Sequence, residues 1–131
     1  MPLIDSLTKN LPDFPKHLGL TYIDVTPDRV VAAMTVREDL SNGIGTLHGG
    51  ALMAFADTLG AVATMLNIPR DAKTTTLESK TNFIAAAPIG TRLIGEALPL
   101  HRGRRTQIWE TRVSTEDGRL IAKVTQTQLI L

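Results

Sequence analysis

The order of hydrophobic and polar residues predicts one long buried helix. Residues 49–66 are apolar or small except for a single charged residue, Asp57, and Asn67 and Pro69 follow this stretch. An apolar run of this length with one charge is typical of a buried helix, and Asn and Pro are typical of a helix end. The run is barely long enough to span a membrane, and an acid near its middle argues further against a transmembrane helix.

The segments on either side of the helix predict strands. Residues 20–25 and 30–36 are rich in β-branched and apolar side chains, and the turn Thr26–Arg29 between them places Pro27 at a position that proline favours. Everything after Lys73 is typical of antiparallel strands separated by turns. The predicted strands are 74–85, 91–100, 106–115 and 120–130, and the turns are 87–90, 102–105 and 117–118.

The first strand after the helix alternates in a way that predicts two faces. One face carries Thr75, Leu77, Thr81 and Phe83, and the other carries Thr76, Glu78, Lys80 and Asn82. We expect residues 1–19 to form a short helical turn and a loop, because two prolines and a glycine interrupt them.

These elements predict an α+β fold. A helix that is apolar all round must be covered on most of its faces, and a curved antiparallel sheet wrapped around it is the simplest cover. The chain has 131 residues, which is the size of one domain, so we expect residues 1–131 to form a single domain.

Composition narrows the function. The net charge of +1 argues against nucleic acid or an anionic membrane surface as a partner. The chain has no cysteine, which excludes disulfides, thiolate zinc sites and thiol nucleophiles and fits a reducing compartment. No signal peptide is visible, and we expect a cytoplasmic protein.

The start of the helix is the strongest candidate for chemistry. The sequence His48-Gly49-Gly50 opens the helix, and backbone N–H groups at a helix N-terminus can bind a developing oxyanion. Asp57 lies about two turns further on, and an acid in an apolar helix costs free energy unless it is solvated, hydrogen-bonded or used. There are structural alternatives for both features. Asp57 could be a hydrogen-bonded acid at a helix edge or a subunit contact, and the glycine pair could serve a tight strand-to-helix turn or close packing of the helix on the sheet.

The histidines indicate neither a metal site nor a hydrolase triad. No serine stands at a nucleophile elbow, and His48 is nine residues from Asp57. His17 and His101 lack the spacing of metal ligands, so we expect no metal and no cofactor.

The run from Asn42 to Ala51, Asn-Gly-Ile-Gly-Thr-Leu-His-Gly-Gly-Ala, followed by Ala56-Asp57-Thr58, resembles the hotdog-fold acyl-CoA thioesterases, in particular the phenylacetate-pathway type. The resemblance extends from about Pro15 to the last strand. It implies the fold predicted above, a curved sheet around one central helix, and it implies hydrolysis of an acyl-CoA thioester.

The resemblance also implies roles for individual residues. The Gly49 backbone N–H would polarise the thioester carbonyl, and the Asn42 side chain would contact the same oxygen. His48 would orient the site, and Asp57 would act as general base or nucleophile. Thr76 would hold the attacking water.

The densest basic cluster is a candidate site for the nucleotide of coenzyme A. It comprises His101, Arg102, Gly103, Arg104 and Arg105, and arginine suits phosphate oxygens through its several donors. The resemblance implies nucleotide binding near this turn, and a solvated hairpin turn is the alternative. Phe83 is a candidate for the substrate channel or for the core, and Trp109 for the core or an interface.

The resemblance implies a dimer whose active sites lie between subunits, usually paired into a tetramer. Two other functions remain open. A hotdog hydratase or dehydratase pairs a histidine with an acid in different motifs, and an acyl-CoA binding module needs no buried acid. Thiol release, loss of enoyl absorbance and binding without hydrolysis distinguish the three. A carrier-protein thioester is a further possible substrate. The sequence does not identify the acyl group.

Overall fold

Six strands and one long helix make up most of the protein. The computed structural model describes residues 2–131. The elements in chain order are α1 (Leu3–Lys9), α2 (Asp13–Leu18), β1 (Thr21–Thr26), β2 (Arg29–Thr35), a 3₁₀ turn (Glu38–Leu40), α3 (Gly49–Met65), β3 (Thr74–Phe83), β4 (Arg92–Arg102), β5 (Thr106–Thr115) and β6 (Leu120–Ile130).

The strands form one antiparallel sheet in the order β1-β2-β4-β5-β6-β3. The chain leaves β2, passes through α3 and returns as β3 at the far edge of the sheet. Helix α3 contacts β2, β3, β4, β5 and β6. The predicted α+β fold, with a curved sheet wrapped around one central helix, is therefore confirmed.

The core lies between α3 and the concave face of the sheet. Phe55 and Leu59 are fully buried and contact β4 at Gly95, where an added Cβ atom would lie 2.7 Å from the Phe55 ring. Trp109, the single tryptophan, is fully buried in β5 and belongs to the core. Burial of these large apolar surfaces is the main stabilising contribution to the fold.

One face of α3 is not covered by its own sheet. Met53, Asp57 and Ala61 are half-buried, and Met65 is 56% exposed. These residues recur every four positions and thus share one side of the helix. The sheet does not close over this side of the helix, although Thr76 of β3 and Gln126 of β6 reach the Asp57 carboxylate.

Three local predictions are wrong. Residues 3–18 form two short helices rather than a helical turn and a loop. Strand β4 extends to Arg102, so His101 and Arg102 lie in a strand and not in the turn. In β3 a bulge between Thr76 and Glu78 shifts the register. The half-buried residues are Thr74, Thr76, Ser79 and Thr81, which does not match either predicted face.

Among residues 2–131, no helix combines the length and the apolar character needed to cross a membrane.

Candidate active site

Asp57 accepts hydrogen bonds from two neighbouring strands. Thr76 of β3 donates its hydroxyl to Asp57 Oδ1 at 2.6 Å, and Gln126 of β6 donates Nε2 to the same oxygen at 3.3 Å. Both donors come from the concave face of the sheet that covers α3. The carboxylate is thus fixed on one oxygen by the fold.

An apolar cavity of about 300 Å³ adjoins this carboxylate. Helices α1 and α2 form its outer wall, and the exposed side of α3 forms its floor. Burial raises the pKa of the Tyr22 hydroxyl, which faces the same space. The lining residues are Leu7, Asn10, Pro12, Pro15, Tyr22, Asp57, Thr58, Ala61, Val62 and Met65.

The N-terminus of α3 presents a free backbone donor. His48 is the N-cap residue, and its Nδ1 accepts the Gly50 N–H at 2.8 Å. An Nδ1 that accepts carries no proton, so a neutral His48 holds its proton on Nε2. The Gly49 N–H has no acceptor among residues 2–131. The histidine therefore caps the helix and leaves the preceding amide for a ligand.

A second cavity, of about 400 Å³, opens in front of this amide. Phe83 forms one wall, and its ring would lie 3.1 Å from a Cβ atom added at Gly49. A side chain at position 49 would therefore crowd the approach. The lining residues are Asn42, Thr46, Leu47, Gly49, Phe83, Ile84, Ala85 and Ala86.

Asn42 holds the loop that borders the second cavity. Its Oδ1 accepts the Ile44 N–H at 3.1 Å, and its Nδ2 donates to Thr46 Oγ1 at 2.7 Å. A primary amide has two N–H donors, so one donor of Asn42 is left over at the cavity wall. The Asn42 side chain thus shapes the loop and can still reach a bound carbonyl.

Gly49 and Asp57 lie too far apart to act on one thioester within a chain. They are eight residues apart on one helix, which is about 12 Å at 1.5 Å per residue. They also line different cavities. An attacking group and an oxyanion donor must both lie about 3 Å from the reacting atoms. Within one chain, Gly49 and Asp57 therefore do not face the same cavity.

The basic cluster lies at the opposite end of α3 from Gly49. Arg102 is occupied, because its Nη1 donates to Asp28 Oδ1 at 2.7 Å and to the Pro27 carbonyl at 3.2 Å. Arg104 and Arg105 are exposed, and neither forms an ion pair within residues 2–131. A cavity of about 430 Å³ adjoins the turn and is lined by Asn67, Ile68, Pro69, Arg102, Gly103, Arg104 and Ile130.

His101 packs on the glycine of this turn. An added Cβ atom at Gly103 would lie 2.6 Å from His101 Nε2. Among residues 2–131, no group of three or more His, Asp and Glu side chains is arranged to hold a metal ion.

Sequence reasoning missed Gln126 and Gln128. Gln126 bonds Asp57, and Gln128 Nε2 donates to Thr76 Oγ1 at 2.6 Å. The sequence does carry a sign of their role. The two glutamines lie two residues apart in a predicted strand, on a face whose other residues are apolar. A buried amide on that face needs a partner.

Comparison with known proteins shows the family. A sequence profile of the thioesterase superfamily matches residues 44–122. The 1,4-dihydroxy-2-naphthoyl-CoA hydrolase of Escherichia coli K12 is 33% identical over 114 residues, which cover 87% of this chain and 83% of that protein. The proofreading thioesterase EntH of Cronobacter sakazakii is 35% identical over 104 residues, which cover 79% of this chain and 75% of that protein.

The PaaI protein from the phenylacetic acid degradation operon of Escherichia coli has the same fold. Its structure superposes with a TM-score of 0.87 at 21% identity and covers 98% of this chain and 91% of that one. The chain therefore belongs to the thioesterase superfamily and is a thioester hydrolase with the hotdog fold. The family and the enzyme class predicted from the sequence are both confirmed.

Proposed function

We propose that the protein hydrolyses the thioester of an aryl- or medium-chain acyl-CoA to a free acid and coenzyme A. One observation carries this proposal: Asp57 is held by Thr76 on one carboxylate oxygen and lines an apolar cavity. An acid so placed can act on the thioester of an apolar acyl group that fills the cavity.

The reaction needs one carboxylate and one oxyanion site. We assign the oxyanion site to the free Gly49 N–H, with the spare Asn42 amide donor beside it. Asp57 either takes the proton of the attacking water or attacks the carbonyl carbon itself, and Thr76 positions the carboxylate and the water. If Asp57 acts as the base, the water oxygen forms the new C–O bond, the C–S bond breaks, and the proton that Asp57 took passes to the leaving thiolate. If Asp57 attacks, the C–S bond breaks as a mixed anhydride forms, the thiolate takes a proton from water, and a second water hydrolyses the anhydride to the free acid and the regenerated carboxylate.

His48 supports the oxyanion site without touching the substrate carbonyl. Its Nδ1 binds the Gly50 amide, which fixes the first turn of α3 and the direction of the Gly49 N–H. The chemistry proposed here uses no cofactor and no metal.

The complete active site combines Gly49 of one subunit with Asp57 of another. The separation of about 12 Å within one helix supports this arrangement. Strand β3 supplies the contact that we propose: it is an edge strand with unpaired backbone groups, and Leu77, Phe83 and Ile84 are each more than half exposed along it. Pairing of β3 with its copy would bury these side chains and make a dimer. We also propose that two dimers associate into a tetramer.

The acyl group is uncharged in this proposal. The cavity beside Asp57 is lined mainly by aliphatic, proline and tyrosine side chains and contains no cation that would pair with an acidic acyl chain. The naphthoyl-CoA hydrolase acts, by its name, on the coenzyme A ester of an aromatic acid. Both points support an aryl ester.

The nucleotide of coenzyme A binds at the basic cluster. Arg104 and Arg105 are the free cations for its phosphates, whereas Arg102 is tied to Asp28 and holds the turn in place. His101 and Gly103 shape the surface beside these arginines. Phe83 lies beside Gly49, at the other end of α3, so it can line the path of the pantetheine arm only in a site that combines two subunits. Because the substrate is a coenzyme A ester and the chain has no cysteine, we propose a cytoplasmic location.

The experiment is a thiol-release assay with benzoyl-, phenylacetyl- and octanoyl-CoA. A thiol reagent reports only released coenzyme A, because the chain itself has no cysteine. We expect turnover by the wild type and a fall in kcat of about 10²–10⁴-fold for Asp57→Asn, since a general base contributes about that factor. Asp71→Asn removes an exposed acid and serves as the matched control.

Three outcomes contradict the proposal. Near-normal turnover by Asp57→Asn refutes the role of Asp57. Loss of enoyl absorbance without thiol release indicates a hydratase. Tight binding of an acyl-CoA that survives intact indicates a binding module.

A further inference from the structure

Two glutamines of β6 lie in the core directly beneath Asp57. Gln126 is 1% exposed and Gln128 is 0% exposed, and both side chains point at α3 and β3. A buried amide is costly unless its groups are hydrogen-bonded. Their partners are the acid and the threonine of the candidate site.

Gln128 sets the direction of the Thr76 hydroxyl. Thr76 Oγ1 lies 2.6 Å from Asp57 Oδ1 and 2.6 Å from Gln128 Nε2. A hydroxyl has one proton, and an ionised carboxylate can only accept. Because Gln128 donates to the hydroxyl oxygen, the hydroxyl proton must point at Asp57. Thr74 Oγ1 lies 2.9 Å from Gln128 Oε1 and 2.9 Å from the Leu129 carbonyl, and its single proton can go to either acceptor.

Gln126 adds a second donor to the same carboxylate oxygen. Its Nε2 lies 3.3 Å from Asp57 Oδ1 and 3.4 Å from the Asp57 backbone carbonyl. The amide lies flat on Gly60, where an added Cβ atom would be 2.2 Å from Gln126 Cδ. Within residues 2–131, Gln126 Oε1 is buried without a partner. Only the Nε2 end of this amide is hydrogen-bonded within residues 2–131, so the contacts of Nε2 set its position.

The two donors leave the carboxylate asymmetric. Both hydrogen bonds fall on Oδ1, and Oδ2 accepts none from residues 2–131. Asp57 lines the apolar cavity, so Oδ2 is the oxygen available to water or substrate. A carboxylate held in this way cannot rotate without breaking two hydrogen bonds.

We infer that Gln126 and Gln128 are positioning residues that hold Asp57 through Oδ1 and direct Oδ2 at the thioester. Gln128 acts through Thr76, and Gln126 acts directly. This inference rests on the proposed function, because it assigns the reacting oxygen of the same acid. It adds two residues of the last strand to a site otherwise built on α3 and β3.

A double-mutant cycle on kcat tests the inference. Thr76→Val removes the hydroxyl and should lower kcat about 10–100-fold, while Thr76→Ser should retain most of it. Gln128→Met removes the donor in a side chain of similar length and should lower kcat about tenfold with KM changed less than about threefold. Because Gln128 acts through Thr76, the double variant should be no slower than Thr76→Val within about twofold.

Thr111→Val is the control. Thr111 is also a buried polar residue of a strand, 0% exposed, but it lies opposite Val124 rather than Gln126 or Gln128, and its hydroxyl has no partner within residues 2–131. This variant should leave kcat nearly unchanged. If Gln128→Met does not fold, Gln128→Asn tests the same contact, because its amide is one methylene shorter and cannot reach Thr76.

The outcomes separate this inference from the proposed function. Two results overturn the inference and leave the thioesterase proposal standing. The first is a wild type that turns over while the Gln128 variants have the same kcat. The second is a double variant in which the rate losses of the two single variants multiply. Absence of thiol release by the wild type on every ester overturns the proposed function and the positioning role together.

Discussion

Gly60→Ala should destabilise the protein although alanine favours helices. Gly60 lies in the middle of α3, where replacing glycine by alanine alone contributes about 1 kcal/mol of stability. In this protein the new Cβ atom would lie 2.2–2.5 Å from Cδ, Oε1 and Nε2 of Gln126. Non-bonded heavy atoms need about 3.5 Å, so the amide must move by about 1 Å or more.

The net effect follows from three contributions. Overpacking a filled core costs about 1–3 kcal/mol. Displacing Gln126 also weakens its hydrogen bond to the Asp57 carboxylate, which at 3.3 Å is long and contributes about 1 kcal/mol. The helix gain of about 1 kcal/mol offsets part of this. We expect a loss of about 1–3 kcal/mol, or a fall in Tm of roughly 3–12 °C for a domain of this size.

Thermal unfolding followed by circular dichroism at one fixed protein concentration measures this effect. Fixed concentration matters because association shifts the apparent Tm. In the Gln126→Ala background the clash is absent, so Gly60→Ala should there raise Tm. A higher Tm for Gly60→Ala in the wild-type background would refute the packing described between α3 and β6.

Three further predictions concern Tyr22 and the basic cluster. Burial raises the pKa of Tyr22 above its ordinary value of 10.0. The folded protein therefore holds the phenol proton more tightly than the unfolded chain does. The stability that this difference contributes is present below pH 10 and is lost as the pH rises through the folded-state pKa. Absorbance of the phenolate at 295 nm reports this residue alone, because it is the only tyrosine, and an apparent pKa of 10 or lower in the folded protein would contradict its burial. The double variant Arg104→Ala/Arg105→Ala should raise KM for acyl-CoA about tenfold at low salt and by less at high salt. It should leave KM unchanged for a thioester of N-acetylcysteamine, which lacks the nucleotide. An equal rise of KM for both esters would place the nucleotide elsewhere. Arg102→Ala should instead lower the midpoint of thermal unfolding, because it breaks the ion pair with Asp28. An unchanged midpoint would contradict a stabilising role for that ion pair.

The fold was predictable because its signals are local. The signals are an apolar run of helix length, a Gly-Gly start and six strand segments separated by turn residues, and each can be read from the local sequence alone. The His48-Gly49-Gly50 motif and Asp57 could be proposed as candidates for the same reason. The distance between Gly49 and Asp57 also follows from the sequence, since eight helical residues span about 12 Å.

Features that depend on pairing between distant segments were not predictable. The bulge in β3 exchanges the inward face after Thr76, and it exists only in the register against β6. The partner of Arg102 lies 74 residues earlier in the chain. Gln126 and Gln128 have a role only because β6 places them next to β3 and beneath α3. A sequence pattern gives the residue types in such contacts but not the partners.

Mixing two inactive variants tests the shared active site most directly. Asp57→Asn removes the acid, and Gly49→Val blocks the oxyanion amide, because a side chain at position 49 meets Phe83. If each site combines Gly49 of one subunit with Asp57 of the other, a heterodimer contains one intact site and one doubly altered site. Random reassociation of an equal mixture makes half of the dimers heterodimers and should restore about a quarter of the wild-type thiol release. Activity no greater than that of the two separate variants, with heterodimer formation verified by mass, would contradict a site built from two subunits.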